Sequence, residues 1–314
     1  MKVLFIDTVH TVLEDRLTSL GFECIDGTTF NYDECVEALK NGINGIVIRS
    51  RFRMDANFLA HGKDLKFIAR SGAGMENIDI AYCDQRRIKL FNSPEGNRTA
   101  VAEHALGMLL ALFNQLKKGD TEVRKGIWDR EGNRGIELTG KTIGIIGYGN
   151  NGSEFAKLLK GFDTKVLVYD KYKTGFSSEN VQEVTLDELY NQAQIISFHI
   201  PQNQETLFWA NTDFFNKVKN PFYLINLSRG KIVSADALVD SLENGKCLGA
   251  VLDVLEFESS SFENFMQSEM PEAFKKLINS DKVLLSPHVG GWTVESYFKL
   301  SNVLADKIES YFKS

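Results

Sequence analysis

The side chains best suited to chemistry lie in three short segments of the C-terminal half. Asn226-Leu-Ser-Arg229-Gly230, Asp253-Val-Leu-Glu-Phe-Glu258 and Ser286-Pro287-His288-Val-Gly-Gly each carry an ionisable group at or just after an apolar run of strand character. An arginine is a planar fork that matches a carboxylate and polarises a neighbouring carbonyl. A histidine exchanges protons near neutral pH, and a carboxylate beside an imidazole favours its protonated form. Singly, such an arginine is more often a surface salt-bridge residue, and such a histidine a hydrogen-bonded loop residue. Jointly they make a set that recognises an acid and moves a proton.

A second motif lies upstream. Gly147-Tyr148-Gly149-Asn150-Asn151-Gly152 directly follows the strand candidate Thr142–Ile146 and opens a helix candidate at 153–162. Asp170 ends the next strand candidate, 21 residues after Gly149. This context turns a weak glycine pattern into a dinucleotide fingerprint. Gly147 permits a tight turn, Gly149 admits a pyrophosphate, and Gly152 lets the helix pack close. The carboxylate of Asp170 would accept from ribose hydroxyls and repel a 2′-phosphate, favouring NAD over NADP, with Lys171 and Lys173 weakening that preference. Asn151 stands where an apolar residue is commoner. An arginine, a glutamate and a histidine beside such a fold are the parts needed for hydride transfer from a 2-hydroxy acid.

The elements that must position these groups alternate along the chain. Strand candidates are 2–7, 45–48, 65–69, 142–146, 165–169, 195–199, 222–226, 249–253 and 283–286, with amphipathic stretches between them. One uninterrupted helix is expected from about Ala100 to Lys125, and a closing helix over about 294–312 that returns to the first series. The expected class is α/β: two Rossmann-like or flavodoxin-like doubly wound parallel-sheet domains with a cleft between them. In parallel sheets ligands bind outside the carboxyl ends of the strands, where the three segments would converge.

Composition bounds the rest. The 314 residues carry a net charge of −6 and are 43% hydrophobic and 25% charged, which excludes a largely disordered chain and argues against a general nucleic-acid binder. No secretory leader and no bilayer-spanning run is evident, so the expected compartment is the cytoplasm, with no membrane partner. The four cysteines are far apart and read as reduced packing residues; no metal site is expected.

The motifs occur in the order found in the D-isomer-specific 2-hydroxyacid dehydrogenases, and the chain resembles that family over essentially its whole length. The resemblance implies that Arg229 binds the substrate carboxylate and carbonyl oxygen, that Glu258 pairs with His288, and that His288 is the acid/base. It assigns Asp253 to the nicotinamide carboxamide, and His199, Pro201, Thr206 and Gly290 to the NAD side. Residues 1–96 with 291–314 would bind substrate, and 97–290 would bind NAD. Ser259, where the family has proline, and Leu255, where it often has an aromatic residue, depart from the pattern. At the substrate end, Ser71-Gly72-Ala73-Gly74 would form an anion nest. Arg49-Ser50-Arg51 matches members that act on 3-phosphoglycerate, and both arginines are expected on one side as a phosphate clamp. Trp128-Asp-Arg130 and Arg134 fall in the arm that in relatives packs on a second subunit, implying a homodimer. His104 is expected to be a packing or interface residue.

The resulting expectation is NAD-dependent oxidation of a small-molecule 2-hydroxy acid, with 3-phosphoglycerate, in serine biosynthesis, as leading substrate. Because the closing helix is expected to lie near the end of the chain, no C-terminal regulatory domain is expected. The alternatives are a reductase of glyoxylate, hydroxypyruvate or another 2-keto acid, and an NAD(H)-sensing scaffold without turnover.

Overall fold

A computed structural model describes residues 1–258 and 270–313. They divide into two compact units: residues 1–98 with the segment from Trp292 onward, and residues 99–258 with 270–291.

The first unit is built on five short parallel strands, β1 (Lys2–Phe5), β2 (Glu23–Asp26), β3 (Gly45–Ile48), β4 (Phe67–Arg70) and β5 (Lys89–Asn92). Their spatial order is β2-β1-β3-β4-β5. All four residues of β3 are buried, as a central strand covered on both faces requires. One face packs on Leu39, Ile43, Phe58 and Leu59, and the other on Leu13 and Leu17. The closing helix, Val294–Lys313, completes that second face with Leu304, Ala305 and Ile308. Gly96 is needed for this: a Cβ there would stand 2.7 Å from the backbone nitrogen of Leu300.

The second unit has seven parallel strands: β6 (Thr142–Ile146), β7 (Lys165–Tyr169), β8 (Gln182–Glu183), β9 (Ile195–Phe198), β10 (Phe222–Asn226), β11 (Cys247–Leu252) and β12 (Val283–Leu285). They lie in the order β12-β11-β10-β9-β6-β7-β8, with apolar clusters on both faces. The chain steps outward in both directions from β6, so β6 and β9 flank a topological switch point. The register aligns Tyr169, Ile146, Phe198, Asn226, Leu252 and Leu285 in one row across the sheet. The residues that follow this row therefore emerge along one edge.

Two local differences from the sequence reading have physical causes. The helix expected over 100–125 is two helices, Arg98–Phe113 and Leu116–Arg124. Gln115 adopts the left-handed region at φ 50°, and the Phe113 carbonyl accepts from the Ile136 N–H instead of continuing the helix. Strands β2, β5 and β8 lie outside the strand candidates of the sequence. Each is an edge strand, so it lacks the continuous apolar run of a strand flanked on both sides. No helix of the described residues is long and apolar enough to cross a membrane.

Candidate active site

The glycine loop leaves the middle of the register row. Gly147 has φ 97°, and a Cβ there would stand 2.5 Å from the His199 carbonyl oxygen. A Cβ on Gly152 would run into the Gly147 carbonyl, so this glycine lets the helix Asn150–Leu158 start against the strand end. Gly149, the N-cap, is different: a Cβ there would meet nothing within 4 Å. No side chain caps the helix, which leaves N–H groups directed at that open space. Asp170 follows β7. Its Oδ2 accepts from the Tyr148 N–H at 2.6 Å, and its Oδ1 accepts from the N–H groups of Tyr172 and Lys173 at 2.9 Å. Burial pushes this carboxyl up, yet the three N–H donors and Lys173 hold it below the ordinary value. Tyr148 stacks on Phe176 with ring centroids 4.4 Å apart. The Oδ1 of Asn151 is buried without a hydrogen-bond partner.

His199 follows β9. Its Nε2 lies 2.8 Å from Ser197 Oγ, and burial pushes the imidazole down to about 4, so it is neutral near pH 7. Next to it, Thr206 donates its hydroxyl to the Pro201 carbonyl at 2.7 Å and accepts the Asn203 N–H, closing the loop.

Arg229 follows β10 on a turn held by Asn226. The Asn226 Oδ1 accepts from the Ser228 N–H and hydroxyl, and its Nδ2 donates to the Arg229 carbonyl. The next residue, Gly230, lies against the Leu255 carbonyl too closely for a side chain. Glu258 accepts the Leu255 N–H with Oε1, while its Oε2 lies 2.6 Å from His288 Nδ1. A nitrogen so close to a carboxylate carries the proton, which leaves Nε2 as the working atom of His288. Ser259 lies outside the described residues.

Asp253, 3% exposed, organises the turn that carries His288. Its backbone oxygen accepts the His288 N–H at 2.8 Å. Its Oδ1 accepts the Ser286 hydroxyl at 2.6 Å and the Val289 N–H at 2.9 Å, and its Oδ2 accepts the Gly290 N–H at 2.8 Å. His104 Nε2 lies 2.9 Å from the same Ser286 hydroxyl. The sequence reading of His104 as a packing or interface residue does not include this connection.

The substrate-end segments belong to the first unit. Ser71 is buried, and its N–H donates to the Ile48 carbonyl; the Gly72 N–H donates to Ser93 Oγ, and Asn92 Nδ2 donates to the Ala73 carbonyl. A Cβ on Gly72 would collide with the Arg70 guanidinium. Gly74 directly follows the bend formed by residues 71–73. The paired clamp expected of Arg49 and Arg51 does not form. Arg51 turns inward, its guanidinium donating to the carbonyls of Ile6, Gly27, Thr28 and Phe30. The N–H groups of Arg49, Ser50 and Arg51 all converge on Asp7 Oδ2. Arg49 alone lies elsewhere, its guanidinium 4.1 Å above the Trp292 ring. The alternation of side chains predicts the same side for both arginines, but the Asp7-centred turn breaks that alternation.

Residues 106–290 match the profile of the D-isomer specific 2-hydroxyacid dehydrogenase, NAD binding domain. The chain belongs to the D-isomer-specific 2-hydroxyacid dehydrogenase family. It is 33% identical to a D-3-phosphoglycerate dehydrogenase of Archaeoglobus fulgidus, over 100% of this chain and 58% of that protein. It is also 33% identical to a hydroxypyruvate reductase of Thermotoga maritima, over 85% of this chain and 84% of the relative. A solved D-lactate dehydrogenase of Aquifex aeolicus, complexed with NAD and lactic acid, superposes with a TM-score of 0.82 at 26% identity, covering 100% of this chain and 96% of that one. The chain thus spans little more than half the length of the Archaeoglobus relative.

The residues present fit the family's NAD. The open side of Gly149, the uncapped helix and the ionised Asp170 form a cradle for a pyrophosphate and a ribose. No group of three or more His, Cys, Asp or Glu that could hold a metal occurs among the described residues.

Proposed function

We propose that the protein is an NAD-dependent dehydrogenase that interconverts a D-2-hydroxy acid and its 2-keto acid, with 3-phosphoglycerate and 3-phosphohydroxypyruvate as the pair. The observation that carries this reading is the 2.6 Å contact between Glu258 and His288, on the edge from which the glycine loop also emerges. Bound NAD supplies the hydride acceptor, and its reduced form the donor. Gly147–Gly152, Asp170, His199, Pro201, Thr206, Asp253 and Gly290 would hold it.

In oxidation, His288 Nε2 takes the hydroxyl proton as the C2–H bond gives up its hydride, and the C2–O bond becomes a carbonyl. In reduction the same atom returns the proton to the forming alkoxide. Glu258 holds the ring in the tautomer this requires and stabilises the imidazolium formed during oxidation. Arg229 supplies a fork for the carboxylate and polarises the carbonyl. Residues 1–96 with 291–314 would bind substrate, and 97–290 would bind NAD. Arg49 supports a phosphorylated substrate, since no protein acceptor for its guanidinium occurs among the described residues. Of the expected nest, the Ser71 and Gly72 N–H groups are held by the Ile48 carbonyl and Ser93 Oγ, so the N–H groups of Ala73 and Gly74 would take the carboxylate. Cys35, Cys83 and Cys247, buried as free thiols, support a cytoplasmic enzyme.

A second reading, a hydroxypyruvate or glyoxylate reductase, is favoured by the engagement of Arg51, which leaves one arginine where the clamp needs two. Steady-state assays with 3-phosphohydroxypyruvate, hydroxypyruvate and glyoxylate separate the two. The leading reading expects the highest kcat/KM for the phosphorylated acid. It also expects His288→Ala to lose turnover by about a thousandfold or more while NADH still binds. Near-normal turnover in that variant would sink the assignment. NADH binding by the wild-type protein without turnover of any acid would mark a sensing scaffold.

A further inference from the structure

We propose that His104 is a positioning residue: with Ser286 it locks Asp253 into a clamp that sets the backbone of His288. The importance of His288 rests on the reading above; the clamp itself does not.

Three separate elements meet here. His104 comes from the helix Arg98–Phe113, Asp253 from the end of β11 and Ser286 from the end of β12. The direction of each hydrogen bond follows from the number of protons available. Ser286 has one hydroxyl proton, and its 2.6 Å contact with Asp253 Oδ1 claims it, because a carboxylate has none to give. Met108 Sδ, 3.2 Å from the same hydroxyl, is too weak an acceptor to compete. The Ser286 oxygen must then accept, and the donor at 2.9 Å is His104 Nε2. His104 is thereby fixed with its proton on Nε2, which also lies 3.6 Å from Asp253 Oδ1.

Asp253 passes this constraint on. It receives the N–H groups of His288, Val289 and Gly290 in succession. His288 itself has φ 55°, a left-handed conformation disfavoured for a residue with a Cβ. Such a conformation persists where its surroundings over-determine it. Burial pushes the Asp253 carboxyl up, but donors from His104, Ser286, Gly290 and Val289 bring it below the ordinary value, so it stays ionised and accepting. The imidazole also forms a wall of the turn: a Cβ on Gly290 would stand 3.3 Å from His104 Cδ2.

The test compares His104→Leu, which fills the volume without a donor, with His104→Gln, whose amide N–H reaches a similar point. Amide hydrogen exchange of the 286–291 segment is followed in the ligand-free protein, alongside kcat and KM for the best 2-keto acid. In the Leu variant, exchange at Val289 and Gly290 is expected to quicken about tenfold or more. Its kcat should fall by about tenfold with KM within threefold, and the Gln variant should recover most of both losses. Ser286→Ala should quicken the same two amides, and it decides the matter if the Leu variant does not fold. Unchanged exchange in the Leu and Ala variants, or a Gln variant no better than Leu, would overturn the proposal. A wild-type protein that turns over no keto acid would defeat the functional reading, and the exchange comparison would still decide the clamp.

Discussion

Arg49 and Arg51 differ by one residue in position and by a whole environment in role. Arg51 satisfies backbone carbonyls of Ile6, Thr28 and Phe30, whereas Arg49 rests on Trp292. Removing the first should leave part-buried carbonyls without donors, so Arg51→Ala is expected to cost about 2 kcal/mol of stability. Arg49→Ala should leave the melting temperature within about a degree or two and raise KM for a phosphorylated substrate by about tenfold. Thermal melts and steady-state kinetics on the pair check this, and the opposite pattern would restore Arg51 to the substrate. His199 gives a second residue-scale prediction. Its imidazole, pushed down to about 4 by burial, ordinarily titrates near 6.5. Between these values the unfolded chain binds the proton and the folded chain does not. This contribution is therefore complete above pH 6.5, declines as pH falls, and is gone below 4, a loss on the order of 3 kcal/mol. Asp170 and Asp253, held below the ordinary carboxylate value, lose their contributions only at still lower pH. Urea midpoints across the window should decline in the wild type and decline less in His199→Asn; parallel slopes would rule the residue out.

At the scale of elements, the turn from β6 into its helix separates two kinds of glycine. Gly152 has no room for a methyl group, because the Gly147 carbonyl occupies that position. Gly149 has room, and its φ of −82° suits any residue. Gly152→Ala is therefore expected to destabilise the fold by about 2 kcal/mol or more. Gly149→Ala should melt like the wild type and bind NADH about tenfold more weakly, because its methyl group enters the space left for the ligand. Calorimetry of both variants, melting and NADH titration, tests the division; a Gly149→Ala protein with unchanged NADH affinity would refute it. Legibility also varied at this scale. A central strand such as β3 shows as an unbroken apolar run because both faces are covered. The edge strands β2, β5 and β8 carry polar residues and pass for loops.

At the scale of the whole molecule, the second unit exposes apolar side chains that its own core does not use. Leu116, Val123, Ile127 and Trp128 are all exposed, Trp128 at 79%. Trp128 falls in the arm implied to pack on a second subunit, the other three precede it in the chain, and we propose that two copies of the chain bury this patch. Analytical ultracentrifugation should give a dimer for the wild type and a shift toward monomer for Trp128→Asp. A wild type that sediments as a single chain at micromolar concentration would remove the proposal.

The sequence alone determined what depends on neighbours along the chain. The glycine spacing, the acid that ends the second strand of the NAD-binding half, and the Arg, Glu and His motifs are all local patterns. Their order was enough to imply a parallel sheet and a dehydrogenase family. The tertiary structure alone decided which groups meet. His104 reaches Ser286 across 182 residues, and Arg51 and Arg49 point to different partners because Asp7, 42 residues before Arg49, gathers the intervening N–H groups. Hydrogen bonds of this kind are chosen by distance and direction in space. A linear pattern carries neither until the strands are aligned and their ends share one edge.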